Sequence, residues 1–160
     1  RRPLRRPLRA AGTRPSASWP IMVAMKAKDL LSVVRKSRYP LGAFLFVHRG
    51  LDFTVRREHG EIDDREAPDD DPQTRESRHV TGRRLCEGLR DYAMKEYGLM
   101  ARTVLRRWNI RTSKDFGHIV FQMIESGLMH KTPNDCLDDF VGVYDFEDAF
   151  SPQISLLENT

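Results

Sequence analysis

The fold is decided by residues 78–144, which read RHVTGRRLCEGLRDYAMKEYGLMARTVLRRWNIRTSKDFGHIVFQMIESGLMHKTPNDCLDDFVGVY. Thr81 is a favourable N-cap residue, and Gly98 is typical of the position just after a helix end. Between them Leu85, Leu89 and Ala93 recur at helical spacing, with charged residues mostly on the other sides. The first segment of the stretch is therefore predicted to be an amphipathic helix.

Two more helices are predicted downstream. The segment 99–108 should end at Asn109, because asparagine is the non-glycine residue that most readily adopts left-handed backbone. Thr112 and Asp115 have the spacing of a capping box, and Gly127 predicts the end of the helix that they begin. This third helix carries the broadest apolar face and should be the most buried, its apolar residues being Phe116, Ile119, Val120, Met123 and Ile124.

Residues 128–144 predict a small β element. A turn-rich segment at 132–135 is followed by 140–144, whose β-branched and aromatic residues favour a strand. We expect a two-stranded hairpin here. The fold class is then mainly α (α+β), a compact domain of four or five helices with a C-terminal hairpin, in the order of a winged helix-turn-helix domain.

Upstream, residues 24–36 predict a short amphipathic helix, and Pro40 suits the first turn of another. The apolar run 41–47 is compatible with a buried strand, but helical spacing continues to Val55 and favours a helix. Residues 61–77 hold two prolines and three consecutive aspartates, which is typical of an acidic loop that cannot bury apolar surface.

Charge is distributed unevenly along the 160 residues. Residues 1–38 contain eleven Lys or Arg and one Asp, a charge of +10, whereas the remainder has 16 basic and 22 acidic residues, a charge of −6. We interpret 1–23 as a disordered basic tail, with three open origins: a phosphate-binding arm, a transit-like leader, or sequence upstream of the true start. A single domain is predicted over 24–150 and a flexible tail over 151–160.

The two cysteines and five histidines form no recognised metal-ligand or disulfide pattern. We therefore predict neither a cofactor nor a metal site, and a cytoplasmic location. No apolar run is long enough for a transmembrane helix. Cys86 with His79 as its base would be the nucleophile of a cysteine-dependent enzyme, but we expect Cys86 to be a small buried hydrophobe.

Several short motifs follow one another along the chain: Tyr39-Pro40, Phe46-Val47, 50–55 (GLDFTV), 78–82 (RHVTG), 85–90 (LCEGLR), 108–110 (WNI), 115–117 (DFG) and 144–147 (YDFE). In this order they resemble a family of short conserved hypothetical bacterial proteins, the Minf-type family. The resemblance covers roughly residues 39–150 and departs from the family pattern in the acidic insert, in the basic front, and at Asn109, where glycine is usual. The family has no established activity, so the resemblance implies no catalytic residue.

Two function classes remain open. The first is a non-enzymatic protein-binding or adaptor module, favoured because the chain shows no catalytic set and its predicted body is acidic. The alternative is a winged-helix-like nucleic-acid binder, in which a basic cluster would contact phosphates. That cluster consists of Arg102, Arg106, Arg107, Arg111 and Lys114. The partner and the oligomeric state are not predicted.

Overall fold

The computed structural model describes residues 29–60 and 79–151, and this part of the chain is mainly helical, which confirms the predicted class. The predicted acidic loop and basic tail, and all but one residue of the C-terminal tail, lie outside these ranges. After a leading helical segment at 29–36, the helices are α1 (Leu41–His59), α2 (Gly82–Tyr97), α3 (Ala101–Arg107), α4 (Ser113–Glu125) and α5 (Phe146–Ala149). Short 3-10 turns occupy Gly98–Met100 and Leu137–Phe140.

Helix α1 follows Pro40, as the sequence predicts, and continues to His59 without a strand. It buries Phe44, Phe46 and Val47 in the core. Phe46 lies at the centre of an aromatic group, with ring centroids 5.4 Å from Tyr92 and 5.7 Å from Trp108. Helix α1 therefore provides the surface on which α2 packs, and it also contacts α4.

The predicted helix ends are confirmed. Asn109 has φ 62° and Gly127 has φ 71°, both left-handed. At each end, a backbone hydrogen bond closes a Schellman motif. Ile110 N–H donates to the Leu105 carbonyl at 2.9 Å, and Leu128 N–H donates to the Met123 carbonyl at 2.8 Å. The Asn109 turn reverses the chain after α3 and delivers fully buried Ile110 to the core.

The predicted hairpin is wrong, because residues 128–144 form turns and a 3-10 helix, and the described ranges contain no strand. Phe140 is buried against Gly82 and Gly117, where an added Cβ would come within 2.8 Å of its side chain. Its carbonyl accepts a hydrogen bond from Ser113 Oγ at 2.7 Å, and Val143 N–H donates to the same hydroxyl at 3.2 Å. The hydroxyl of Ser113 in α4 thus satisfies backbone groups that would otherwise have paired with a second strand.

No helix in the described ranges combines the length and apolar character needed to cross a lipid bilayer.

The predicted hairpin would have been the wing of a winged-helix domain. Because residues 128–144 do not form it, the described ranges contain no wing. The described structure is a helical body in which Phe146 of α5 and Phe150, directly after this helix, are both buried.

Candidate binding groove

Three of the five arginine and lysine residues predicted as a basic cluster meet at one groove. Arg102 and Arg106 are one turn apart on α3, and Arg111 follows on the link between α3 and α4. The groove has a volume of about 430 Å³ and is hereafter the arginine groove. Its lining consists of Arg102, Arg106, Arg111, Thr112, Tyr144, Asp145, Phe146 and Glu147.

The arginines of the groove differ in their partners. Arg102 donates a hydrogen bond to Glu147 and forms an ion pair with it, so one cation is already satisfied by the opposite wall. Within 29–60 and 79–151, the side chains of Arg106 and Arg111 have no ion-pair or hydrogen-bond partner, and both residues are exposed. The groove therefore presents two available guanidinium groups.

The opposite wall, residues 144–147, is anchored to the core. Tyr144 donates its hydroxyl to the Cys86 carbonyl at 2.8 Å, and burial raises the pKa of this tyrosine. The Phe146 ring lies 5.9 Å from that of Phe116 in α4. Asp145 caps α5 by accepting hydrogen bonds from the N–H groups of Glu147 and Asp148. The wall is held by these contacts independently of any ligand.

Arg111 and Thr112 are fixed by a buried carboxylate. Asp115 Oδ2 accepts hydrogen bonds from their backbone N–H groups at 2.9 and 3.0 Å, and Oδ1 accepts one from the Tyr39 hydroxyl at 2.5 Å. Arg38 also pairs with Oδ1. Burial acts to raise the pKa of Asp115, but these hydrogen bonds and the Arg38 charge outweigh it and lower the pKa. This confirms the capping-box spacing and explains how the link holds its position.

The other two predicted cations lie elsewhere. Arg107 on α3 and Lys114 on α4 are exposed but do not line the groove. Helix α4, which would be the recognition helix of a winged-helix domain, is buried over most of its length, and only Lys114 and Glu125 are classed as exposed. The predicted burial of this helix is confirmed, and little of its surface is available to a DNA groove.

The acidic excess predicted after position 38 is not found in the described part of that region, since residues 39–60 and 79–151 carry 13 Lys or Arg and 13 Asp or Glu. The excess of acidic residues after position 38 comes instead from residues 61–77, with eight acidic and two basic side chains. The arginine groove therefore lies in a body of nearly balanced charge.

Cys86 is placed as a structural residue. It is fully buried, its Sγ lies 3.9 Å from the Ser113 carbonyl, and burial raises its pKa to about 12. His79, the base considered for it, instead lies 3.0 Å from Asp135 Oδ1. A thiol in this state is protonated at neutral pH and is a poor nucleophile.

Thiol labelling should separate the two cysteines. Cys136 is exposed and Cys86 is buried, and neither forms a disulfide. With Ellman's reagent at pH 7, we expect one thiol to react rapidly and the second only after denaturant is added. The Cys136→Ser variant should lose the rapid phase. Rapid labelling of two thiols in the native wild type would contradict the burial of Cys86.

Among the described residues, no group of three His, Cys, Asp or Glu side chains is arranged to hold a metal ion. Asp135 and Asp139, near the predicted turn, are used locally: Asp135 accepts from Thr132 N–H at 2.7 Å and Asp139 from Cys136 N–H at 3.0 Å. Their carboxylates stabilise the backbone of the segment that replaced the hairpin.

Comparison with known proteins identifies no relative: no protein-family model, curated protein or solved structure matches this chain. The resemblance to the Minf-type family stays a prediction.

The sequence did not reveal the far wall of the groove. Asp145 caps α5, and the rings of Phe146 and Phe150 lie 5.0 Å apart. The pairing of Glu147 with Arg102 joins residues 45 positions apart. No local sequence pattern indicates this contact. The sequence shows only that the two segments carry opposite charges.

Proposed function

We propose that this protein is a non-enzymatic protein-binding module of the cytoplasm, and that the arginine groove receives an anionic segment of a protein partner. The observation that carries the proposal is the pair of available guanidinium groups, Arg106 and Arg111, on a groove with an anchored aromatic wall. Arginine side chains offer planar donor forks that match carboxylate and phosphate oxygens. Unpaired cysteines are compatible with a reducing compartment.

The size of the groove suits a small ligand group. A volume of about 430 Å³ lies within the range of about 300–1,000 Å³ typical of small-molecule sites. A nucleic-acid backbone instead needs cations spread along its path. The five predicted cations are divided, because three line the groove whereas Arg107 on α3 and Lys114 on α4 do not.

A capture experiment with matched charge reversals tests the proposal. The full chain serves as bait in a native lysate, with and without nuclease. The groove variant carries Arg106→Glu and Arg111→Glu, and the control carries Arg107→Glu and Lys114→Glu. Both change the net charge by four units at exposed positions of the same region. We expect a nuclease-resistant protein partner that the control retains and the groove variant loses at least about tenfold, the size of one charge-assisted contact or more.

The same experiment identifies the alternative. If the bait recovers nucleic acid that disappears with nuclease, and both variants weaken recovery similarly, the five-residue basic cluster acts as a phosphate-binding surface and the groove proposal is wrong. Equal capture of one protein by all three baits would show that the partner binds elsewhere on the chain.

A further inference from the structure

Resting on the proposed function, we infer that the anionic group recognised by the arginine groove is a phosphomonoester on a protein side chain, rather than a carboxylate. Three features of the groove favour this ligand. They are the number of guanidinium groups that line it, the carboxylate that already pairs with one of them, and the fixed position of its walls.

The ion pair of Arg102 with Glu147 shows what one carboxylate requires in this groove. The Glu147 side chain is mostly exposed, and its described side-chain hydrogen bond is the one from Arg102. One guanidinium therefore satisfies one carboxylate here. Arg106 and Arg111 remain, which is more positive charge than a second carboxylate would need.

A phosphomonoester matches the remaining donors. It carries a charge of about −1.5 to −2 at neutral pH and three acceptor oxygens, so two guanidinium forks can bind it together. Arginine clusters are the usual solution for recognising phosphorylated side chains. A phosphodiester in nucleic acid carries a single charge per phosphate and would leave one of the two arginines poorly matched.

The groove is also held in place before a ligand arrives. The backbone of Arg111 is fixed by Asp115, and the facing wall by the Tyr144 hydroxyl and the buried Phe146. The carboxylate of Glu147 is the movable part of this arrangement, because its release exposes Arg102 as a third donor without disturbing the core. Glu147 thus competes with the ligand for Arg102.

In the test, small probes are titrated into the full chain, and their binding is measured by NMR through the arginine Nε–Hε signals. The probes are N-acetyl phosphoserine amide, N-acetyl glutamate amide, dimethyl phosphate and inorganic phosphate. We expect the phosphoserine probe to shift the Arg106 and Arg111 signals with a Kd at least tenfold below those of the glutamate and diester probes. Inorganic phosphate should bind more weakly than phosphoserine, because it lacks a group that contacts Tyr144 and Phe146.

Four variants distinguish the groove from general surface charge. Arg106→Gln should weaken phosphoserine binding at least tenfold, and Arg107→Gln should change it less than twofold. Glu147→Gln should strengthen it by a factor of two to five, since the intramolecular competitor of Arg102 is removed. Thermal unfolding of each variant shows whether the fold is kept, and Arg111→Gln provides a second groove variant.

The inference is overturned if the glutamate or diester probe binds as tightly as phosphoserine, or if the Arg107→Gln control loses as much affinity as Arg106→Gln. If no probe binds but the groove variant still loses its protein partner in the capture experiment, the phosphomonoester is excluded while the proposed function stands. If inorganic phosphate binds as well as phosphoserine, the groove is a free-phosphate site, and the inference is equally excluded.

Discussion

Replacing Gly88 with alanine is expected to lower the free energy of unfolding by about 3 kcal/mol, the upper part of the usual range for overpacking a core. Gly88 lies on α2 where this helix crosses α1. A Cβ at this position would come 1.9 Å from Thr54 Oγ1 and 2.8 Å from Thr54 Cβ. Thr54 is fully buried and β-branched, and its hydroxyl donates to the Gly50 carbonyl at 2.6 Å. The helices would have to separate, because a rotation about χ1 moves the hydroxyl and methyl of Thr54 but leaves its Cβ at 2.8 Å from the new one.

A loss of stability would be informative, because replacing glycine with alanine inside a helix normally stabilises the helix by about 0.8–1.0 kcal/mol. Urea unfolding of Gly88→Ala should be compared with Gly50→Ala on α1. A Cβ at Gly50 would meet Leu89 Cδ2 at 2.3 Å, the far end of a flexible side chain that can rotate. We expect the Gly50 variant to lose less stability. Equal midpoints for the two variants, or a stabilised Gly88→Ala, would show that α1 and α2 do not cross this closely.

The helix boundaries could be predicted because their causes are local. Asn109 and Gly127 adopt left-handed backbone, and Thr81 accepts a hydrogen bond from Arg84 N–H at 3.4 Å as an N-cap. The hairpin failed for the opposite reason. Phe140 has the β propensity of a strand residue, but its position is set by contacts with Gly82 and Gly117, which are distant in sequence. Tertiary packing overrode the local preference.

The candidate site divides in the same way. The shared face of Arg102 and Arg106 follows from their i, i+4 spacing on a helix, which the sequence supplies. The wall that completes the groove comes from residues 144–147, brought there by burial of Phe146 and Phe150. Such long-range placement depends on the whole core. The sequence alone therefore does not distinguish a groove at these arginines from a solvated basic face.

The second large effect is expected at the buried carboxylate that fixes the link between α3 and α4. Asp115→Asn should cost about 2–3 kcal/mol at pH 7, since hydrogen bonds to a charged acceptor are the stronger class and an unsatisfied buried donor adds its own cost. An amide keeps one acceptor oxygen, but its NH₂ group would face the donors that now converge on the carboxylate, from Tyr39, Arg111 and Thr112. Because Arg111 is positioned by the same carboxylate, this variant should also weaken binding in the groove.

The stability difference should depend on pH in a defined direction. The pKa of Asp115 is lower in the folded protein than the value of about 3.9 expected in the unfolded chain. A group with a lowered folded pKa contributes stability above its unfolded pKa and loses it as the pH falls through the folded pKa. The difference in the free energy of unfolding between wild type and Asp115→Asn should therefore be largest at pH 7 and decrease progressively below about pH 4.

Asp91→Asn is the matched control for this prediction. The pKa of Asp91 is also lowered: burial acts to raise it, but hydrogen bonds from Arg90 and Arg57 outweigh that effect. The Asp91 side chain is 36% exposed, compared with 8% for Asp115, so water can replace much of what the substitution removes. We expect the Asp91 variant to lose no more than about 1 kcal/mol, as for other exposed ion pairs. Denaturant unfolding at pH 7 and pH 3 gives both comparisons. A gap for Asp115→Asn that stays constant between these pH values would mean that its carboxylate charge does not stabilise the fold.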